Sequence, residues 1–412
     1  MAAAALRQPA APSSPEPPAT RGLADFAQMV FQSQNLSAVW NESMARATAI
    51  PPDVGAMLDL STILQLVGDR TQGLALQADA LALQRCYRRT MGDGVGPRLL
   101  ALVAPGDLMA NTPLEFMLKG WNGVLDYLFI DTAAPAQILV PDHDVAILAV
   151  GESDANAELL GALTIALAAW PRPMLNGAPA RVLTLGRDRA PQRLAGIPTI
   201  DSPVTRRLAR EALSELASGR APLDQLLPGC RFPVLVRPVD SHAGAGLEKL
   251  VSSNALAAYL QQQAGEAFYL TPFIDYRGSD GFYRKLRVAL IDGRPFISHM
   301  AVSDYWMIHY LNAGMDRDAS KRAEEAATMA SFETGFAARH AGAFQALAQR
   351  FGLDYFAVDC AETREGRLLI FEADTAMIIH DMDPPDLYPY KGPAMAKLFT
   401  AFQDLVNRSA RR

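Results

Sequence analysis

The stretch Phe356–Asp374, FAVDCAETREGRLLIFEAD, decides how this chain is read. Two apolar runs, Phe356-Ala357-Val358 and Leu368-Leu369-Ile370-Phe371, flank a polar segment in the pattern of a β-hairpin. A two-residue turn at Glu365-Gly366 sets Asp359 opposite Glu372. Side chains two apart on a strand share a face, so Asp374 joins them, and three carboxylates stand on one surface of an otherwise apolar segment. Like charges that close raise one another's pKa unless a cation sits between them. Mg2+ fits, since it prefers oxygen ligands and completes its shell with phosphate and water. Asp359, Glu372 and Asp374 are therefore the metal-ligand candidates.

Working outward, Tyr283–His299 forms a second hairpin, because Asp292-Gly293 is a strong two-residue turn between two apolar runs. With that turn Arg287 pairs with Ser298 and Lys285 with Met300. Alternation puts Lys285 and Arg287 on one face and Arg284 on the other. Two adjacent cations call for an anion; the plainer reading is a solvated face. Further upstream, Phe232–Val251 reads FPVLVRPVDSHAGAGLEKLV. A strand ends at Arg237-Pro238 and a loop follows with Ser241, His242, Gly244 and Gly246. Glycines let backbone N–H groups approach a phosphate and a strand-end cation can neutralise it, so the loop is a phosphate-cradle candidate. A flexible turn with an ordinary loop histidine is the alternative. Phe268–Ile274, with Pro272 inside it, reads as an edge strand or an interlobe linker. Ser303–Met315, SDYWMIHYLNAGM, mixes packing aromatics with His309 and Asn312, and a core histidine is an equal reading of His309.

The N-terminal half has a different organisation. From Leu23 to about Thr90 apolar residues recur at helical spacing, and Pro52–Arg85 resembles one tetratricopeptide-like helical hairpin. From Pro97 short apolar runs alternate with helices: Leu99–Val103, Tyr127–Ile130 and Val145–Val150 as buried strands, Thr112–Leu118 and Asp154–Trp170 as helices. That alternation implies a doubly wound parallel sheet, with Gly151-Glu152-Ser153 at a strand's carboxyl end, either a ligand loop or a helix entry. Val182–Leu194 reads as helical, and Arg206, Arg207, Arg210 and Glu211 as a solvated helix face. Residues 1–22 read as a disordered tail without a signal-peptide core.

The 412 residues suggest several domains, taken as 23–95 helical, 96–180 Rossmann-like and 181–412 a two-lobed module. Half the residues are apolar and the formal charge is -6, which argues against nucleic acid and anionic membranes as partners. Three dispersed cysteines, Cys86, Cys230 and Cys360, fit a reducing cytoplasm and no CxxC metal site.

From about Pro97 to Leu398 the order of these pieces resembles the ATP-grasp superfamily, most closely its glutathione synthetase and D-alanine:D-alanine ligase branch. The resemblance implies an α/β chain with a doubly wound pre-ATP-grasp domain followed by α+β lobes that hold Mg-ATP. By position it assigns Arg237, Ser241, His242, Gly244, Gly246 and Lys285 to the phosphates. Thr271, Phe273 and Asp275 fall in the interlobe adenine and ribose segment. Arg287 is assigned to the transferred phosphate, Asn312 to the turn near an acyl phosphate, and His309 or His299 to proton acceptance. Arg237 stands where members usually carry lysine, and Asp374 where many carry Asn. The implied activity is a carboxylate–amine ligase working through an acyl phosphate on small-molecule substrates. A small-molecule kinase on the same scaffold is one alternative. Another is an adaptor whose N-terminal helices bind a protein partner or a second copy of the chain and whose nucleotide site regulates assembly.

Overall fold

The computed structural model describes residues 5–7, 16–132, 137–239, 241 and 244–412. Four helices open the chain, Leu23–Phe31, Ser37–Ala47, Val54–Leu66 and Arg70–Leu83. Asp53 and Asp69 begin the last two by accepting from the backbone N–H of Ala56 and Gln72, as N-cap carboxylates do. These two helices form a close hairpin. A Cβ on Gly73 would stand 2.6 Å from Gln65 Cγ, and the Ser61 hydroxyl donates to the Gly73 carbonyl at 2.7 Å. The expectation of a loose tail over 1–22 falls largely outside the described residues. Where it is described it fails: Thr20 N–H donates to the Arg88 carbonyl and the N–H groups of Arg21 and Gly22 donate to Asp59.

A five-stranded sheet follows. Its strands Arg98–Val103, Gly123–Phe129, Val145–Leu148 and Met174–Leu175 run parallel, with Cys86–Met91 antiparallel at one edge. The parallel strands are nearly continuous in apolar residues because both sheet faces are covered. Cys86–Met91 corrects the reading of 23–95 as wholly helical; its mixed Cys-Tyr-Arg-Arg-Thr-Met composition hid an edge strand. Asp154–Ala166 is a helix continued by a short 3-10 turn to Ala169, as expected, whereas Val182–Leu194 breaks into short pieces at Gly186.

Two larger sheets follow, and Ala5–Arg7 pairs in parallel with Gln137–Leu139 as a separate two-stranded ribbon. Glu248–Leu250, Val234–Pro238, Ala267–Pro272 and Arg206–Ala209 lie in that spatial order, all antiparallel. Ala267–Pro272 is thus an interior strand rather than an edge, and Pro272 is tolerated because it closes the strand. Arg206 and Arg207 are strand residues, not a helix face; Arg207 is paired with Asp154 of the preceding sheet's helix. Tyr283–Ile291 is an interior strand of the third sheet, flanked by Arg294–Ser303 and by Tyr355–Glu362, beyond which lie Leu368–Asp374 and Ile200–Asp201. One face of this sheet packs on Phe344, Leu347 and Phe351, and the other on Phe399 and Phe402 of the C-terminal helix Lys391–Ser409.

A polar knot ties that last helix to the Ser303–Met315 segment. Lys391, 5 % exposed, reaches Asp383 at 2.7 Å and the Tyr310 hydroxyl at 2.5 Å. The fully buried Glu325 accepts from Tyr310, Tyr390 and the Met300 N–H. Lys391→Met leaves Asp383 unpaired and removes the cation 3.5 Å from the buried Glu325, which keeps its three donors, so we expect a loss of about 3 kcal/mol in urea unfolding.

Candidate functional site between the sheets

The carboxylate hairpin forms, with a different turn. Thr363 N–H donates to the Arg367 carbonyl at 2.9 Å and Gly366 N–H to that of Thr363 at 3.0 Å, so the turn is Arg364-Glu365-Gly366. A type I′ two-residue turn needs positive φ at both central residues and a type II′ turn at the first, and here only the second, Gly366 (φ 75°), adopts it. The longer turn would have slipped the register by one residue. A β-bulge between Asp359 and Cys360, with Phe371 as the extra residue, compensates. Asp359 therefore lies opposite Glu372, and Asp374 opposite Ala357, on the face expected.

The second hairpin has the expected Asp292-Gly293 turn, both residues at positive φ. A bulge beyond Arg287 then makes Ser298 the extra residue, so Arg287 faces His299 and Lys285 faces Ala301, not Ser298 and Met300. On its other side Arg287 is the direct cross-strand partner of Asp359. Its guanidinium grips that carboxylate twice, at 2.8 and 3.0 Å, and Lys285 Nζ adds a contact at 2.7 Å. The anion required by the two cations is thus Asp359. Burial alone would raise the Asp359 carboxyl, but Arg287 and Lys285 outweigh it and hold it well below the usual range.

Glu372 and Asp374 have other surroundings. Glu372 is paired with Arg187, which follows the Gly186 break. Asp374 accepts from the Ala376 N–H at 3.0 Å, yet burial first and Glu372 second push its carboxyl up to about 6. Glu152, at the carboxyl end of Val145–Leu148, is pushed up to about 7 by burial and by Asp374, with Arg189 only at 3.9 Å. This is negative charge without adequate counter-charge, the condition a divalent cation relieves. Among the described residues, however, no three carboxylate, His or Cys side chains converge as a ready metal cage. Asp359 is committed to its two cations. Glu372 and Asp374 are the members of the expected triad whose environment fits a cation.

The titrations have a definite sign. Both Asp374 and Glu152 have folded pKa values above the ordinary ones, so their contribution to stability is full below about pH 4 and fades as pH rises through about 6 to 7. Urea midpoints of the ligand-free protein should fall from pH 5 to 8. Glu152→Gln should flatten that slope by on the order of 2 kcal/mol.

Positive groups face this cluster from a separate sheet. Arg237 is 9 % exposed, and burial first, then Arg187, lowers its pKa to about 10. It is occupied by the loop it precedes, its Nε donating to Ser241 Oγ at 3.0 Å and its terminal nitrogen to the Ser241 carbonyl. Gly246, at φ 66°, leaves no room for a side chain: a Cβ there would meet Pro238 Cδ at 2.7 Å. Gly244 lies against Met307, where a Cβ would stand 3.4 Å from its sulfur, so the glycine loop touches the Ser303–Met315 segment. His242 lies outside the described residues.

The remaining expected residues divide. Lys285 Nζ also donates to the Ile308 carbonyl at 3.3 Å, and the electrostatic influence of Lys285, Arg287 and Glu372 reaches His309. Burial and then these cations lower the pKa of His309, and burial with Arg287 lowers that of His299 well below normal, so both imidazoles are neutral at pH 7. Asn312 is exposed and folds back on its own turn, its amide oxygen accepting from the His309 N–H at 3.0 Å. Asp275 pairs with Arg277 and Arg364, outside the central group. Phe273 lies edge-on to Trp306 with Lys249 Nζ 3.6 Å over its ring, and the buried Thr271 hydroxyl has no partner among the described residues. The sequence does not single out Arg187, and it raises Glu152 only within Gly151-Glu152-Ser153, a ligand loop or a helix entry. Glu152 had a signal, its place at a strand end in a parallel sheet; Arg187 sits in an irregular stretch that offered none.

No protein-family model and no curated protein matches the chain. Among solved structures it is similar to a RimK domain protein ATP-grasp from Sphaerobacter thermophilus DSM 20745, at 18 % identity and TM-score 0.41, covering 75 % of this chain and 99 % of that one. It is similar to the VanG D-Ala:D-Ser ligase from Enterococcus faecalis, at 12 % identity and TM-score 0.43, with coverages of 75 % and 99 %. It is also similar to the D-alanine-D-alanine ligase from Coxiella burnetii, at 14 % identity and TM-score 0.39, with coverages of 66 % and 71 %.

Proposed function

We propose that this chain is an ATP-grasp enzyme, an ATP-dependent carboxylate–amine ligase. The observation that carries the reading is the double hairpin: Lys285 and Arg287 locked on Asp359, with Glu372 and Asp374 on the same face and Arg187 and Arg237 near them. Four cations and three carboxylates, all but Arg187 on strands, suit a polyphosphate and its metal better than any apolar ligand.

In this reading Glu372 and Asp374 hold Mg2+, which when bound neutralises phosphate charge. Arg187 and Arg237 bind phosphate oxygens, and the Ser241–Gly246 loop covers them and excludes water. Arg287, fixed by Asp359, presents its remaining N–H groups to the transferred phosphoryl group. A substrate carboxylate attacks the γ-phosphorus and ADP leaves; an amine then attacks the acyl carbon and phosphate leaves. Neutral His309 or His299 accepts the proton the amine sheds, since a base must be unprotonated to act. Thr271, Phe273 and Asp275 frame the adenine and ribose end. In this reading the units are 23–95, helical as far as Leu83, then 96–180, Rossmann-like with Cys86–Met91 of the first unit pairing at its edge, and 181–412, catalytic. No helix among the described residues is long and apolar enough to cross a membrane; we place the enzyme in the cytoplasm.

The test is purified protein with Mg-ATP and a panel of amino acids and small amines. ADP and free phosphate released only when an acid and an amine are both present support the ligase. A stable phosphorylated product without free phosphate makes the protein a kinase instead, and release unaffected by any acid sinks the proposal.

A further inference from the structure

The glycine loop runs into a short strand, Glu248–Leu250, whose Lys249 has no part in the chemistry described so far. This strand pairs with Val234–Pro238, which pairs in turn with Ala267–Pro272. Leu235 lies opposite Lys249 on one side and opposite Thr271 on the other. Side chains two apart on a strand share a face, so Arg237 stands on the same face as this row. The other face of the sheet is committed to the core, where Val234, Val236, Leu250, Phe268 and Leu270 are buried. Lys249, Leu235 and Thr271 are only half-buried.

The Lys249 ammonium rests 3.6 Å over the Phe273 ring, which meets Trp306 edge-on. Arg187, Lys285 and Arg287 each hold a carboxylate, whereas none among the described residues pairs with Lys249. A ring face attracts the charge without accepting a directed hydrogen bond, and such a contact is worth on the order of 0.5–1 kcal/mol where solvent reaches it. An ammonium has three N–H donors, so a ligand acceptor at this place replaces the ring contact at small cost.

Spacing along the strand indicates what that ligand group is. Two residues separate Leu235 from Arg237, a step of about 7 Å. With a phosphate at Arg237, this step leads to the nucleoside. The row offers a planar base an aliphatic side chain to lie on, aromatic rings at its end and one cation at its margin. Arg237 is not free to choose among bases, because its Nε and one terminal nitrogen are spent on Ser241. An ammonium only donates. Purines present the acceptor N7 on an edge where pyrimidines carry a carbon. We propose, on the nucleotide reading above, that Lys249 is a specificity-determining residue that donates to N7 of the base, so that the site takes purine over pyrimidine triphosphates.

Calorimetric titration of the intact chain in the presence of Mg2+ tests this with ATP, with 7-deaza-ATP, in which a C–H replaces N7, and with CTP. The wild-type chain should bind ATP about 10-fold more tightly than either of the others. Lys249→Met keeps an unbranched side chain against Phe273 and removes the donor, so the fold should stand. It should weaken ATP about 10-fold and leave 7-deaza-ATP unchanged. Equal wild-type affinity for ATP and 7-deaza-ATP would overturn the proposal, and so would an equal loss of both in Lys249→Met, which would assign Lys249 to the phosphates or to the fold. In either case the nucleotide reading stands. Failure of the wild-type chain to bind any of the three nucleotides would instead overturn that reading and the role of Lys249 together.

Discussion

Arg287→Ala should destabilise the protein by about 3–5 kcal/mol, because it strands a fully buried carboxylate with a single cation. Asp359 has no exposed surface, and two of its three charged contacts come from the Arg287 guanidinium. Lys285 cannot replace them, since an ammonium offers a point charge and not a planar fork, and it already spends one donor on the Ile308 carbonyl. Urea unfolding should show the midpoint fall without a change in slope. Arg287→Lys should recover part of the stability and little of the turnover, because the remaining guanidinium N–H groups are what face the phosphoryl group in our reading. The double variant Arg287→Leu/Asp359→Leu removes both charges and should be more stable than Arg287→Ala alone.

Glu372→Gln should reduce ATP turnover by about 100- to 1,000-fold while hardly altering stability. The side chain is only partly buried, and Gln keeps an oxygen for Arg187. What it loses is the charge that a divalent cation needs beside Asp374. The two variants therefore separate by kind: Arg287→Ala fails in unfolding and in turnover, Glu372→Gln in turnover alone. A purely structural hairpin would give the reverse for Glu372, intact turnover at every Mg2+ concentration.

The site's face was legible from Phe356–Asp374 because strand alternation has a strict period of two, and apolar runs fix which face is buried. The turn was misread, since Glu365-Gly366 supplies only one residue suited to positive φ, yet the Phe371 bulge restored the pairing. In the other hairpin the Asp292-Gly293 turn was right, and the Ser298 bulge moved the partners of Lys285 and Arg287. Bulges leave little trace in composition, so neither could be anticipated. The role of Asp359 changed for another reason. Its cations lie seventy-odd positions upstream, and their strand pairs directly with that of Asp359, an order that local patterns do not reveal. Arg187 and Lys391 were missed on the same ground, as their partners Glu372 and Asp383 are brought to them by packing rather than by spacing. Asn312, expected in the turn near an acyl phosphate, holds that turn together through its own amide oxygen.

The claim that the double hairpin holds a metal-bound nucleotide is tested most directly by calorimetric titration of the intact chain with a non-hydrolysable ATP analogue, with and without Mg2+. The account predicts one saturable site that needs Mg2+ and is lost in Glu372→Gln. Failure of the wild-type chain to bind, or binding that is indifferent to both Mg2+ and Glu372, would contradict it.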